Sequence, residues 1–363
     1  MDQRNDLLEL TYLMELAPCN ISDGDTSMYN FSQSTAHAMI IEYRDRMLTI
    51  QEPTTIALLC LYIPTFLFAL GGNMLVVYVV FRNPHMRRVK NLFLVNLAIA
   101  DIAVTLVCIP MVAGQTVFRI WVYGEFMCKV SGYMQALAVT CSIFTLTALS
   151  MDRYIAIKCP MSLRRISGHC QAIRMLLAIW LLSGLFACPI LFIRRVYTVE
   201  FSCFDIEISY CIERWPRSED RQIYSILVMV ITYALPLTVV GVCYGLIGRA
   251  LCSDEFHRKT SDSSATIMLG RKRVARMLIA LIVVFVVCWL PYNACSLVLD
   301  LRPEFIGSLI LPFTMWLGHA HSAVNPVLYW FLNKSFQHCM RKVLQCSGQR
   351  RNGRRESPSP QYV

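Results

Sequence analysis

LAVTCSIFTLTALSMDRYIAIKCP, residues 137–160, joins fifteen uncharged residues, 137–151, to an adjacent acid and base, Asp152 and Arg153. An apolar run of this length is a candidate membrane crossing, because roughly 20 predominantly apolar residues span the hydrocarbon of a bilayer as a helix. Ordinary solvating lysines would serve to end such a helix in water. An Asp–Arg pair at that place asks for a further reason.

The rest of the chain repeats the pattern. Of 363 residues, 56% are hydrophobic and 16% are charged, against about 25% charged in a soluble domain. The mean hydropathy is +0.48. Too few polar residues are present to coat a water-facing surface. Apolar stretches run over about 55–81, 91–114, 124–151, 171–193, 222–250, 274–299 and 305–332. Short polar links such as RNPHMRRVK (82–90) and CPMSLRRISGHC (159–170) separate them, and only 251–273 is long enough for a flexible loop. The expected fold is an all-α membrane protein, a bundle of seven transmembrane helices over 55–332. No inverted repeat is visible, so a two-fold transporter architecture finds no support.

The charges orient the bundle. Residues 1–54 hold nine Asp and Glu against three Lys and Arg, and the links after the first, third and fifth spans and the tail are basic. By the rule that basic loops stay inside, the N-terminus is expected outside the plasma membrane and the C-terminus in the cytoplasm. The net charge of +10 is then mostly a membrane-surface charge, and nucleic acid is not an expected partner. The 16 cysteines show no zinc-site spacing. Residues 1–54 contain no apolar core of a cleaved signal peptide. They carry glycosylation sequons at Asn20 and Asn30.

Polar groups interrupt the apolar runs. Asp101 is the one charge in NLFLVNLAIADIAVTLVCIP, residues 91–110. A membrane acid costs several kcal/mol unless it is placed for a purpose. It is either satisfied locally by water, or part of a cation or proton site with Asn73, Ser142, His321, Ser322 and Asn325. Prolines at 110, 189, 236, 291 and 326 each remove a backbone hydrogen bond and favour kinks.

Taken in order, Gly72–Asn73, NLAIAD ending at Asp101, Cys128, MDRYIAI at 151–157, Trp180, Pro236, FVVCWLP at 285–291 and NPVLY at 325–329 resemble the motifs of the rhodopsin-like (class A) G-protein-coupled receptors. The resemblance covers about residues 55–345. It implies that Arg153 of the Asp152–Arg153–Tyr154 triplet is held by Asp152 at rest and turns to a heterotrimeric G protein when active. A paired, partly desolvated arginine gains or loses much with small changes of geometry; a plain C-terminal helix cation would not need Asp152. Trp289 with Phe285 resembles the rotamer-sensitive core beneath the ligand. Tyr329 of Asn325–Pro326 and Tyr244 resemble the pair that rearranges with Arg153. Asp101, Ser142, Ser322 and Asn325 resemble an allosteric sodium site, no other cofactor being expected, although His321 stands where the family usually has asparagine. Cys128 and Cys211 resemble the disulfide that ties the second outer loop to the third helix. Cys19 and Cys203 are left as a second pair or as free thiols.

The resemblance also bears on the ligand. The seventh span contains no lysine for retinal, and Gln135 stands where monoamine receptors place an aspartate. A neutral amide there, and CIERWP at 211–216, are similar to the peptide receptors of the orexin, neuropeptide Y, neuropeptide FF and allatotropin group. Residues 196–201 and 206–212 alternate apolar and polar as a β-hairpin would. The implied ligand is an extracellular, C-terminally amidated peptide, held by Gln135, Gln115, Glu213, Tyr292, Asn293, Ser296, Met315 and His319. Asp300 would face a ligand arginine, and acidic loops would favour a cationic peptide. On the inner face, Arg153, Pro160, Met161, Arg164, Arg165, Arg271 and Arg273 would meet the G protein. Residues 333–346 form an amphipathic segment suited to membrane lipid, with Cys346 beside it for palmitoylation, and 347–363 a polar tail. Arrestin and receptor kinases follow from the resemblance alone. Two other readings stay open: a receptor active without a peptide, and a transporter relaying protons through Asp101 and His321. Among enzymes, an intramembrane hydrolase lacks its motifs: there is no Gly-x-Ser-Gly or His-Glu-x-x-His site.

Overall fold

A computed structural model of the chain describes residues 49–87, 89–118, 120–158, 169–201, 206–252, 262–301, 310–332 and 336–342. The first helix, α1, is Pro53–Arg82, with proline at its first position, where the missing N–H costs nothing. Helix α2 runs from Val89–Ala103 through a π-helical turn, Val104–Cys108, into Ile109–Val117. The turn lies just before Pro110, whose ring and absent N–H disrupt the regular ladder there. Helix α3 is Gly124–Lys158. Helix α4 is His169–Ala187, continued by Pro189–Ile193. Helix α5 joins Ser218–Met229, a second π turn at Val230–Ala234, and Leu235–Cys252. Helices α6 and α7 are Asp262–Leu301 and Leu311–Leu332.

Among the described residues, six helices are long and apolar enough to cross a membrane. The seventh, α7, has 22 residues and no Asp, Glu, Lys or Arg, but His319, His321, Ser322 and Asn325 lower its hydropathy. These four are buried inside the bundle, so the lipid does not meet them. The large side chains that are exposed, such as Leu67, Phe68, Leu177, Leu181 and Phe331, have the character of a lipid-facing coat.

Between α4 and α5 two strands, β1 Arg194–Phe201 and β2 Ile206–Glu213, pair antiparallel with Val196 opposite Cys211. The expected hairpin is present, two residues longer at the start of its first strand. Residues 251–273, expected as one loop, are helical at 251–252 and again from Asp262. Ala265, Met268, Leu269 and the basic run after them are good helix formers, and they extend the apolar helix toward the polar end.

The core collects apolar faces of all seven helices, including Val79, Leu97, Leu146, Ala172, Val240, Phe285 and Tyr329. Phe336, beyond α7, and Cys339, both nearly fully buried, belong to it as well. Three polar links fix the helices within this apolar interior. Trp180 Nε1 of α4 donates to Asn96 Oδ1 of α2 at 2.7 Å, and Asn96 Nδ2 donates to Thr145 Oγ1 of α3 at 2.9 Å. Asn73 of α1 donates its Nδ2 to the Ser322 carbonyl of α7 at 2.9 Å. That carbonyl lies four residues before Pro326, so it is the one left without a helical donor by the proline. Asn73 fills the gap. Gly72 lets α1 approach closely enough, since a Cβ there would stand 2.8 Å from the Pro326 ring.

Replacing Asn73 by alanine is expected to leave the Ser322 carbonyl buried and unmet, at a cost of about 1–3 kcal/mol. The check is thermal unfolding in lipid nanodiscs: N73A should melt several degrees lower than the parent protein.

Candidate functional site

At the end of the bundle that carries the hairpin, Cys128 of α3 is joined to Cys211 of β2 by a disulfide. It pins the hairpin across the opening, where Trp121 and Tyr123 pack against the pair and Trp121 N–H donates to Ser209 O at 2.7 Å. Below this lid stand the residues expected for the ligand. Gln135 of α3 reaches α7, its Nε2 lying 3.3 Å from the Met315 sulfur. Asn293 of α6 donates to Tyr233 Oη of α5 at 2.8 Å and to the Trp289 carbonyl at 2.9 Å. Gln115, Tyr292 and Ser296 are half-buried on α2 and α6.

Beneath them lies an aromatic tier. Trp289 meets Tyr292 and His319 edge-on, with ring centroids 6.4 and 5.8 Å apart. His319 Nδ1 lies 3.3 Å from Tyr62 Oη of α1. A Cβ at Gly318 would stand 2.7 Å from the Trp289 ring, so the glycine makes the seat in which the indole rests. Phe285, one turn below, is edge-on to His321 at 5.4 Å.

The two acids expected at the ligand already have protein partners. Glu213, at the end of β2, lies 3.5 Å from Arg194 Nε. Asp300, near the end of α6, forms an ion pair with Arg221 of α5 at 2.5 Å and accepts a hydrogen bond from Ser225 Oγ at 2.5 Å. Its side chain is only 3% exposed. Asp300, expected from sequence to face a ligand arginine, meets Arg221 of the protein itself, a partner the sequence does not single out. The signal was present: Arg221, Gln222 and Ser225 fall on one face of α5 by their spacing. Which element that face would meet is a matter of tertiary packing.

In the middle of the bundle, Asp101 is buried. Ser322 Oγ donates to its Oδ1 at 2.9 Å and Asn325 Nδ2 to its Oδ2 at 2.7 Å. His321 Nδ1 lies 3.8 Å from Oδ1. Three of the residues grouped by sequence are therefore together. Ser142 is buried as well, but among the described residues no hydrogen bond joins it to Asp101. The carboxylate faces the Ser322 hydroxyl, the Asn325 amide and the His321 imidazole, and the imidazole brings a nitrogen where a hard cation asks for oxygen.

At the opposite end, Arg153 and Asp152 of α3 form an ion pair, each side chain about one-fifth exposed (22% and 20%). Arg153 Nε is buried with no described partner. Tyr329 and Tyr244 both pack on the core cluster, and the Tyr329 hydroxyl is likewise buried without a described partner. Tyr154, next to Arg153 in sequence, is partly buried, and Pro326 lies within α7. Pro160, Met161, Arg164, Arg165, Cys19, Cys203, Asn20, Asn30 and Cys346 lie outside the described residues, as do the side chains of Arg271 and Arg273.

Comparison with known proteins agrees with this arrangement. The family model described as 7 transmembrane receptor (rhodopsin family) matches residues 72–329. The chain is 31% identical over 306 residues to a QRFP-like peptide receptor of Branchiostoma floridae, covering 83% of this chain and 80% of that protein. It is 30% identical over 299 residues to neuropeptide FF receptor 2 of Mus musculus, covering 78% and 71%. With galanin receptor type 1 of Rattus norvegicus it shares 30% over 347 residues, 92% of each. A single family model over most of the bundle, with one relative matched over 92% of each chain, leaves one assignment: the chain belongs to the rhodopsin family of seven-transmembrane receptors.

Proposed function

We propose that this protein is a receptor for an extracellular neuropeptide that activates a heterotrimeric G protein. The observation that carries the reading is the likeness, over most of the chain, to receptors named for peptides. The geometry supports it. Gln135, reaching Met315, offers an amide that can exchange hydrogen bonds with the carboxamide of an amidated peptide. The hairpin end faces outside the plasma membrane and the Arg153 end the cytoplasm, in accord with the basic links.

The chemistry is a transfer of geometry. A peptide that presses on Tyr292, Asn293 and His319 bears directly on Trp289, which those residues touch. From Trp289 the contact continues through Phe285 to His321 and Asp101, and α7 carries it to Tyr329. There the Asp152–Arg153 pair is the element with two arrangements: closed on itself, or opened to a G protein. Met161, Pro160, Arg164, Arg165, Arg271 and Arg273 would complete that contact. Glycans at Asn20 and Asn30, a palmitoyl chain at Cys346, and arrestin and receptor kinases as later partners complete the proposal. In the Asp101 cluster, His321 would take the place that sodium needs.

Three outcomes are expected. A reporter screen of amidated neuropeptides on cells expressing the chain should find an agonist, and Q135A should weaken it at least tenfold with surface expression unchanged. R153A should abolish the G-protein response while peptide binding persists. Sodium chloride, compared with choline chloride, should leave the melting temperature of the receptor in nanodiscs unchanged and should raise that of H321N.

A further inference from the structure

Asp300 is the most deeply held acid at the peptide end, and the way it is held says how it can be used. Ser225 Oγ donates to Oδ2 at 2.5 Å, and Gln222 Nε2 donates to the backbone carbonyl of Asp300 at 3.3 Å. These two bonds fix the residue to α5 independently of charge. Arg221 supplies the charge. Its Nη2 is 2.5 Å from Oδ1, the one guanidinium contact to the carboxylate among the described residues, where a guanidinium can make two parallel N–H···O bonds.

The partners also differ in mobility. The Asp300 side chain is 3% exposed and that of Arg221 is 49% exposed. Arg221 lies in the first turns of the helix segment that starts at Ser218, where the helix dipole disfavours a cation. Its neighbours Glu219 and Asp220 are the acids that such a turn favours. The long, half-exposed side chain can leave for water, while the carboxylate stays bonded to Ser225. The socket left behind would be a buried anion with one unmet oxygen.

We propose that Arg221 is an internal stand-in for a cation of the ligand: it neutralises Asp300 in the peptide-free receptor and yields the carboxylate to an arginine-bearing peptide. This rests on the peptide-receptor reading above and names the feature of the peptide that the site selects. Because one guanidinium replaces another, the exchange gains little beyond better geometry, and wild-type preference for arginine is held down. Without Arg221 the buried carboxylate has no counter-charge, a state costly enough that only a cationic peptide relieves it. A neutral peptide cannot. Selectivity is thus set by an intramolecular competitor as well as by the acid itself.

The test uses a panel of C-terminally amidated neuropeptides, each made with arginine and with the isosteric neutral citrulline, on the full-length receptor in cells. The readout is the ratio of potencies, arginine form over citrulline form. R221Q is expected to raise that ratio at least tenfold, R221K to leave it near the wild-type value, and D300N to bring it close to one. In R221Q/D300N the effect of R221Q should vanish. A second arm needs no peptide: in nanodiscs, R221Q should lower the melting temperature of the parent receptor and leave that of D300N unchanged. The inference is overturned if R221Q lowers or does not change the ratio, or if its thermal effect is the same with and without Asp300. It also falls if no arginine form acts on either the parent or R221Q. In that case activity of neutral or arginine-free peptides in the same cells would leave the receptor reading standing, and silence across the panel would count against both.

Discussion

One buried carboxylate organises the interior of this protein. Asp101 is placed by α2 where neither water nor lipid reaches it, and a membrane acid in that position must be met by polar groups from its neighbours. The groups that meet it, Ser322 and Asn325, lie on α7 just before the kink-forming Pro326. The same turn of α7 needs help of its own, because the proline strips the Ser322 carbonyl of its donor, and Asn73 of α1 provides it. Three helices are thereby joined at one level by buried polar bonds. The apolar packing above and below is generic by comparison: it excludes lipid from the interior but does not by itself select one arrangement.

A seam of this kind suits signalling for a physical reason. Polar bonds in a low-dielectric interior are strong and directional, so two arrangements of the same groups are separated as discrete states. Kinked helices supply the movement. The π turns in α2 and α5, just ahead of Pro110 and Pro236, and the prolines inside α6 and α7 loosen the backbone ladder where the bundle must bend. Trp289 sits above the seam in a space that Gly318 leaves open, and Arg153 waits below it in a pair with Asp152. Force applied to the aromatic tier has a contiguous path of contacts to follow.

Much of this was legible in the sequence, and the limits are instructive. The spans and the hairpin follow from hydropathy and alternation, and the Cys128–Cys211 bond is what the family resemblance implies. Asp101, Ser322 and Asn325 could be grouped because a polar residue in an apolar run stands out. Arg221 could not be matched with Asp300 in the same way. It occurs in a polar segment, PRSEDRQ, where one more arginine looks like a solvated loop charge, and only the docking of α5 on α6 shows which acid it meets. Arg194 paired with Glu213 was hidden for the same reason. The start of α6 reads as loop because serines and a basic run resemble a flexible link in composition, while Ala265, Met268, Leu269 and the basic residues, continued into the span, favour the helix. His321 was seen as a substitution with consequences, but its edge-on contact with Phe285 is a property of packing.

The central claim is that a ligand at the hairpin end moves the Arg153 end through the Asp101 seam. The most direct measurement is the distance between spin labels at positions 155 on α3 and 276 on α6, by pulsed electron resonance in nanodiscs, with and without an activating peptide. The distance should lengthen by several ångströms when the peptide is added, and the change should be lost in N325A although the peptide still binds. An unchanged distance in the parent receptor, or full lengthening in N325A, would contradict the account.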